Sequence, residues 1–140
     1  MPRPACSALA LLALAVCGCS RLPERALIPV PPARLDGGWQ RVTLDTPAAA
    51  EAPAVPRLLK PAQRVRASYR KEGVTVGVDA YAMPSQASAF EAQQRWRNEA
   101  GSLAFQNGNL FVICASEGAG QPGLIAFSKT LEEAWLGGRR

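Results

Sequence analysis

The sequence contains no histidine, and only 6% of its 140 residues are aromatic. Without an imidazole the chain cannot form a Ser-His-Asp or Cys-His catalytic arrangement, and it lacks the commonest zinc ligand. Charged residues are also few, at 19%. Their spacing shows no cluster of carboxylates typical of a calcium or transition-metal site. We therefore expect a protein that is not an enzyme and that holds no metal and no cofactor.

The rest of the composition is that of one globular domain. Apolar residues make up 48% of the chain, and the formal net charge is +5. A length of this order accommodates a single core. The basic residues are scattered along the chain, whereas a nucleic-acid-binding surface needs them clustered. We expect no nucleic-acid partner.

The longest apolar run, residues 7–16, is too short to cross a bilayer, which takes about 20 residues. Its position and length are typical of a secretory signal peptide. The residues that close it, Val16, Cys17 and Gly18 before Cys19, resemble the lipobox of bacterial lipoproteins. That resemblance implies cleavage after Gly18 and a lipid anchor on the sulfur of Cys19. The alternative is an ordinary secretory signal with incidental cysteines.

The resemblance to bacterial lipoproteins also implies a location. Ser20 after the acceptor cysteine, in place of aspartate, resembles the sorting signal for the outer membrane. We therefore expect attachment to the periplasmic face of the outer membrane in the cell envelope, through a lipid with several acyl chains. Cys114 would then be the one free cysteine of the mature chain, so no intramolecular disulfide is expected.

Proline divides the chain into segments. Eight of the twelve prolines lie in residues 22–62, where continuous helix or central strand is excluded. We predict a signal peptide at 1–18, a proline-rich tether at 19–36 and a single domain at 37–140. The tether, if extended, would reach about 50 Å from the membrane. Within the domain, an Ala/Pro-rich loop is predicted at 47–56, after a strand-like segment that begins at Trp39.

The first predicted hairpin joins two segments in which apolar and polar residues alternate. A four-residue loop at 70–73 pairs Tyr69 with Val74 and places Arg64 opposite Asp79. The apolar faces of the two strands then coincide, and a shift by one residue would mix them. The pair of opposite charges predicts a cross-strand ion pair.

The second predicted hairpin turns at Asn107-Gly108, which pairs Phe105 with Leu110. Both of its faces are apolar. One face carries Ala104, Phe111, Ile113 and Ala115. Because contiguous exposed apolar surface marks interaction sites, this face is the candidate for docking a periplasmic partner or an apolar ligand. The alternative is that the Trp39 strand, the Ala/Pro loop or a helix covers it.

Two helices complete the prediction. The first begins after its N-cap, Ser85, and ends at Gly101. The second covers residues 122–136, with proline in its first turn and glycines after its end. Its buried stripe is formed by Leu124, Phe127, Leu131 and Trp135. The order of elements predicts an α+β fold, a small antiparallel sheet with both helices on one face as a two-layer sandwich.

Residues 62–136 resemble a group of uncharacterised secreted and lipid-anchored bacterial proteins. The residues that carry this likeness are 81–85 with Phe90 and Trp96, and then 105–112. The resemblance implies a fold and no catalytic residues.

We expect a lipid-anchored, non-catalytic binding or assembly module of the periplasm. One alternative is an enzyme that uses Tyr81, Arg66 and Asp79, and another is a purely structural tether.

Overall fold

The structure, a computed structural model, describes residues 28–137. Its elements in chain order are β1 (Arg34–Leu35), β2 (Trp39–Asp45), α1 (Ala54–Leu58), β3 (Gln63–Lys71), β4 (Val74–Ala82), α2 (Gln86–Arg95), β5 (Ser102–Asn107), β6 (Leu110–Ala115) and α3 (Gly120–Leu136). The strands form one antiparallel sheet in the order β1-β2-β3-β4-β6-β5. The predicted α+β class is confirmed.

The β3–β4 hairpin is tighter than predicted. Tyr69 pairs with Val76 instead of Val74, and the turn consists of Glu72 and Gly73 alone. Their φ angles of 47° and 80° are both positive, as a two-residue turn that follows the twist of the strands requires. The predicted register was therefore wrong by two residues, a shift that leaves every side chain on its predicted face.

The β5–β6 hairpin differs from the prediction in the same way. Phe105 pairs with Val112 instead of Leu110, and the turn is Gly108-Asn109 instead of Asn107-Gly108. Gly108 occupies the first turn position with a φ of 57°, where a residue with a side chain would be strained.

Helices cover both faces of the sheet, so the prediction of both helices on one face was wrong. Successive residues of a strand point to opposite faces. Val112 of β6 belongs to the core that α3 covers, whereas Phe111 belongs to a second core with Ala89 and Ala92 of α2. We call these the α3 core and the α2 core.

In the α3 core, the predicted stripe of α3 is buried: Leu124, Phe127, Leu131 and Trp135. The ring of Phe127 makes edge-on contacts with Trp39, 4.9 Å between centroids, and with Tyr69, 5.5 Å. These contacts join α3 to β2 and β3.

Helix α2 begins as predicted and ends earlier than predicted. The backbone N–H of Ser88 donates to Ser85 Oγ at 3.0 Å, which confirms the N-cap. The helix ends at Arg95 instead of Gly101, because Trp96 adopts an extended backbone with ψ 129°. That conformation brings its indole against Phe111, with 6.1 Å between ring centroids.

The Ala/Pro-rich segment predicted as a loop is partly helical. It holds a single 3₁₀ turn, Ala49–Glu51, followed by α1. Pro56 is in the first turn of α1, where a backbone N–H has no acceptor within the helix, so proline costs no hydrogen bond there. Ala52 is buried in the α2 core, so this segment forms part of the cover on that face.

Residues 28–36, predicted as tether, pack on the α3 core. Ile28, Pro31 and Leu35 are buried. Three side-chain donors hold this segment. Trp135 Nε1 donates to the Pro29 carbonyl at 3.0 Å, the Tyr69 hydroxyl donates to the Pro32 carbonyl at 2.7 Å, and Arg41 Nη1 donates to the Pro31 carbonyl. The folded unit therefore includes Ile28, nine residues before the predicted boundary at residue 37.

Within residues 28–137, none of the helices is long and apolar enough to span a bilayer.

Candidate functional site

A buried polar cluster lies on the α2 side of the sheet, formed by Arg64, Asp79 and Tyr81. The Asp79 carboxylate accepts hydrogen bonds from Arg64 Nε at 2.9 Å and Nη2 at 2.7 Å. It accepts a third from the Tyr81 hydroxyl at 2.6 Å. Only 7% of the Arg64 surface is exposed, and Tyr81 is fully buried. The predicted Arg64–Asp79 ion pair is confirmed.

The pair forms along a diagonal of the hairpin. The direct cross-strand partner of Asp79 is Arg66, and Arg64 lies opposite Tyr81. A diagonal neighbour is within reach of a long side chain. The Arg64 guanidinium also lies 5.5 Å from the Tyr81 ring centroid. The predicted ion pair therefore forms although the register differs from the prediction by two residues, because the arginine side chain is long enough to reach its diagonal neighbour.

The chemistry of this cluster is structural. The hydrogen bond to Asp79 raises the pKa of Arg64 above its already high ordinary value. Burial, together with the hydrogen bond to Asp79, raises the pKa of Tyr81 well above 10. At neutral pH the guanidinium keeps its charge and the phenol keeps its proton, and both are bound to one carboxylate. None of the three groups is available as a nucleophile or as a free base.

A cleft of about 480 Å³ opens next to this cluster. Its floor is a row of small residues, one from each of five adjacent strands: Thr43, Ser68, Gly77, Ala115 and Ser102. Small side chains on five neighbouring strands leave this part of the sheet uncovered. We call this feature the sheet cleft.

The walls of the sheet cleft carry charged and aromatic side chains. Two residues from the floor along β2, β3 and β4 lie Asp45, Arg66 and Asp79. They are direct cross-strand neighbours and line the cleft. Trp96 and Glu99 also line the cleft. The volume of the cleft lies within the range of small-molecule binding sites.

One polar atom of these walls has no hydrogen-bond partner. The indole Nε1 of Trp96 is buried and donates to no atom of residues 28–137. A buried donor without an acceptor costs about 1–3 kcal/mol. Most buried donors in folded proteins have a partner, so this atom is a candidate contact for a ligand in the cleft.

The predicted apolar docking face divides between two environments. Phe111 and Ile113 are buried in the α2 core under α2 and the segment around Ala52. Ala104 is half-buried beside them, and Ala115 is exposed on the floor of the sheet cleft. The face is therefore covered at Phe111 and open only at Ala115.

Sequence reasoning missed the sheet cleft. Its floor becomes visible only when five strands are aligned, whereas the predicted registers paired strands only within each of the two hairpins. A glycine in the middle of a strand was the available signal, because such a position often marks a close approach of another group. Gly77 has no other evident role, since the nearest atom to a Cβ built there is 3.8 Å away.

The remaining candidate residues show no site. Cys114 is buried in the α3 core, and burial raises its thiol pKa to about 12, so it is inert as a nucleophile at neutral pH. In residues 28–137 no group of three histidine, cysteine or acidic side chains could hold a metal ion. The predicted cleavage and lipidation residues, Val16, Cys17, Gly18 and Cys19, lie outside the described residues.

Comparison of the chain with protein-family models, with curated proteins and with solved structures finds no match.

Proposed function

We propose that the protein is a lipid-anchored, non-catalytic binding module of the bacterial envelope, and that the sheet cleft is its binding site. The observation that carries the binding role is the uncovered floor across five strands, together with one buried donor in the walls, Trp96 Nε1, that has no hydrogen-bond partner within residues 28–137. The lipobox-like residues before Cys19 support the envelope location, and Ser20 supports the outer membrane.

The arrangement of the polar cluster favours binding over catalysis. An enzyme built on Tyr81, Arg66 and Asp79 would need these groups to converge on the space where a substrate binds. Asp79 and Arg66 line the sheet cleft, whereas Tyr81 is fully buried and does not line it. All three hydrogen bonds to Asp79 come from groups that hold it in place.

The position of Ile28 limits how far the folded unit can lie from its anchor. Ile28 is the ninth residue after Cys19. Even a fully extended chain of this length spans only about 30 Å. The domain is thus held closer to the bilayer than the predicted 50 Å tether would allow.

The anchor is tested by mass analysis of the mature N-terminus, after expression of the full chain in a bacterium with two membranes. We expect an N-terminal Cys19 that carries a thioether-linked diacylglycerol and an amide-linked acyl chain. Cys19→Ser should abolish the modification, whereas the matched control Cys17→Ser should keep it. A cytosolic protein that retains Met1 would overturn the envelope location.

A further inference from the structure

The charges that line the sheet cleft do not balance. Among residues 28–137, the side-chain ion pairs are Arg64–Asp79 and Glu91–Arg95. Asp79 is thus neutralised by Arg64, which leaves two free carboxylates, Asp45 and Glu99, against one guanidinium, Arg66. The cleft carries a net negative charge of one in a chain whose formal net charge is +5.

The two free carboxylates lie at opposite ends of the cleft. Asp45 ends β2, and Glu99 precedes β5, at the far edge of the sheet. Counted along the sheet, β2 and β5 are four strand spacings apart, about 19 Å. A ligand that neutralises both carboxylates must be elongated and must carry a positive charge near each end.

The middle of the floor between these carboxylates suits an aliphatic chain, whereas Thr43, Ser68 and Ser102 toward its two sides carry hydroxyl groups. The middle includes Gly77 and Ala115, which present no polar side chain, and Trp96 and Pro53 provide an apolar wall. Alkyl chains pack on such surfaces, and an ammonium group next to an indole ring gains a further attraction.

We propose that the sheet cleft binds a linear polyamine, with its terminal ammonium groups at Asp45 and Glu99 and its methylene chain across the floor. The inference rests on the proposed function, because it names the ligand class of the same site. Arg66, which is exposed beside Asp45, is the one cationic side chain in the walls that opposes such a ligand.

The test is calorimetric titration of the full chain carrying Cys19→Ser, which keeps it free of lipid. Three probes are used at 0.15 M salt, roughly the physiological ionic strength: spermidine, n-butylamine and glutarate. Spermidine should bind at least about tenfold more tightly than n-butylamine, which supplies a single ammonium. Glutarate should not bind. Tighter binding of glutarate than of spermidine would overturn the proposed ligand class.

A variant that fills the cleft shows where the ligand binds. Gly77 has an ordinary strand backbone, and a Cβ there would meet only the Ala115 carbonyl oxygen at 3.8 Å. Gly77→Leu should therefore fold normally and weaken spermidine binding at least about tenfold. Ala115→Leu, at an exposed position on the same floor, is the second variant should Gly77→Leu unfold. Unchanged binding in a folded variant of either kind would place the ligand elsewhere.

Charge variants test the contacts. Asp45→Asn and Glu99→Gln should each weaken spermidine binding about three- to fivefold, the effect of losing one exposed ion pair. Arg66→Gln should strengthen it by a similar factor. The matched control is Glu133→Gln, an exposed carboxylate on α3 at the other face of the sheet, which should leave the affinity unchanged. An equal loss in the control would show that the binding is non-specific.

The two proposals fail in different ways. If glutarate binds and Gly77→Leu abolishes that binding, the cleft remains a binding site and only the polyamine inference is overturned. If no probe binds, the polyamine inference is overturned, and the binding role of the cleft loses its support. Neither result bears on the anchor, which the mass of the N-terminus decides.

Discussion

At the scale of single residues, Asp79 is the side chain on which most polar contacts of the α2 face depend. It compensates the buried charge of Arg64 and accepts a hydrogen bond from the Tyr81 hydroxyl. A guanidinium that loses its carboxylate in a buried position is strongly destabilising, because its charge has been removed from water without compensation.

We predict that Asp79→Asn lowers the free energy of unfolding by about 3 kcal/mol, since Arg64 stays charged and buried. Tyr81→Phe removes one hydrogen bond and should cost only about 1 kcal/mol, because the ion pair remains. Urea denaturation of the two variants measures the difference. Equal, small losses in both would mean that the ion pair is solvated and contributes little.

Because tyrosines are buried in the folded protein, we expect its stability to fall at alkaline pH. Burial raises the pKa of Tyr69 to about 12, against an ordinary value of 10. A raised pKa in the folded state means that the stabilisation is complete below pH 10 and is lost as the pH rises toward 12. We expect the free energy of unfolding to fall by about 1.4 kcal/mol per pH unit for Tyr69 in this window.

Tyr81 and Cys114 add to the same alkaline loss, since burial raises the pKa of each. Denaturation midpoints measured from pH 8 to 11, with Tyr69→Phe for comparison, check the contribution of Tyr69. The variant loses the hydrogen bond to Pro32, so it should be less stable at pH 8 and should lose less on going to pH 11. Parallel pH profiles for both proteins would contradict the assignment.

At the scale of elements, the sequence predicted faces better than it predicted registers. Alternation assigned Tyr69 and Val76 to the same face of the first hairpin, and both are in the α3 core. Both registers were nevertheless wrong by two residues. A two-residue turn and a four-residue turn place the same side chains on the same faces, so alternation does not distinguish between them. The Glu72-Gly73 turn lacks the usual Asn-Gly or Asp-Gly signal, so local chemistry did not distinguish two residues from four.

The covered face of β6 illustrates a feature that periodicity does not predict. Phe111 lies on a face that is apolar in sequence, and whether such a face is open depends on what the chain packs on it. The cover consists of α2 and a proline-rich segment whose composition predicts a loop. Tertiary packing determines both whether the face of Phe111 is covered and whether the proline-rich segment is helical.

Two phenylalanines on this side of the molecule provide a matched test of that cover. Phe111 is fully buried, whereas Phe90 of α2 is 53% exposed. We predict that Phe111→Ala lowers the free energy of unfolding by about 3–5 kcal/mol, because it leaves a cavity between the sheet and α2. Phe90→Ala should cost less than about 0.5 kcal/mol. Similar small effects, seen by chemical denaturation, would indicate that the face of Phe111 is open.

At the scale of the whole molecule, the candidate site is the part of the surface that neither helical cover reaches. Alternation and capping were sufficient for the fold class, the cap at Ser85 and the Arg64–Asp79 pair. They were insufficient for the sheet cleft, because its floor joins residues as distant in sequence as Thr43 and Ala115. A long-range alignment of this kind depends on the pairing of five strands and on where α2 ends, and local sequence determines neither.

The boundary of the folded unit provides the last prediction. A tether at residues 28–36 would tolerate substitution throughout, whereas a packed segment would not. Ile28 is 6% exposed and belongs to the α3 core, and Val30, two residues later, is 70% exposed. We predict that Ile28→Ala in the full chain carrying Cys19→Ser lowers the free energy of unfolding by about 2–3 kcal/mol, through the cavity it leaves.

Val30→Ala is the matched control, and its expected cost is below about 0.5 kcal/mol because the side chain is already in water. Both variants remove methyl or methylene groups from the same short segment, so any effect on the unfolded chain is shared between them. Urea denaturation resolves the difference. If the two variants are equally stable, residues 28–36 act as a tether, and the limit of about 30 Å on the reach from Cys19 no longer holds.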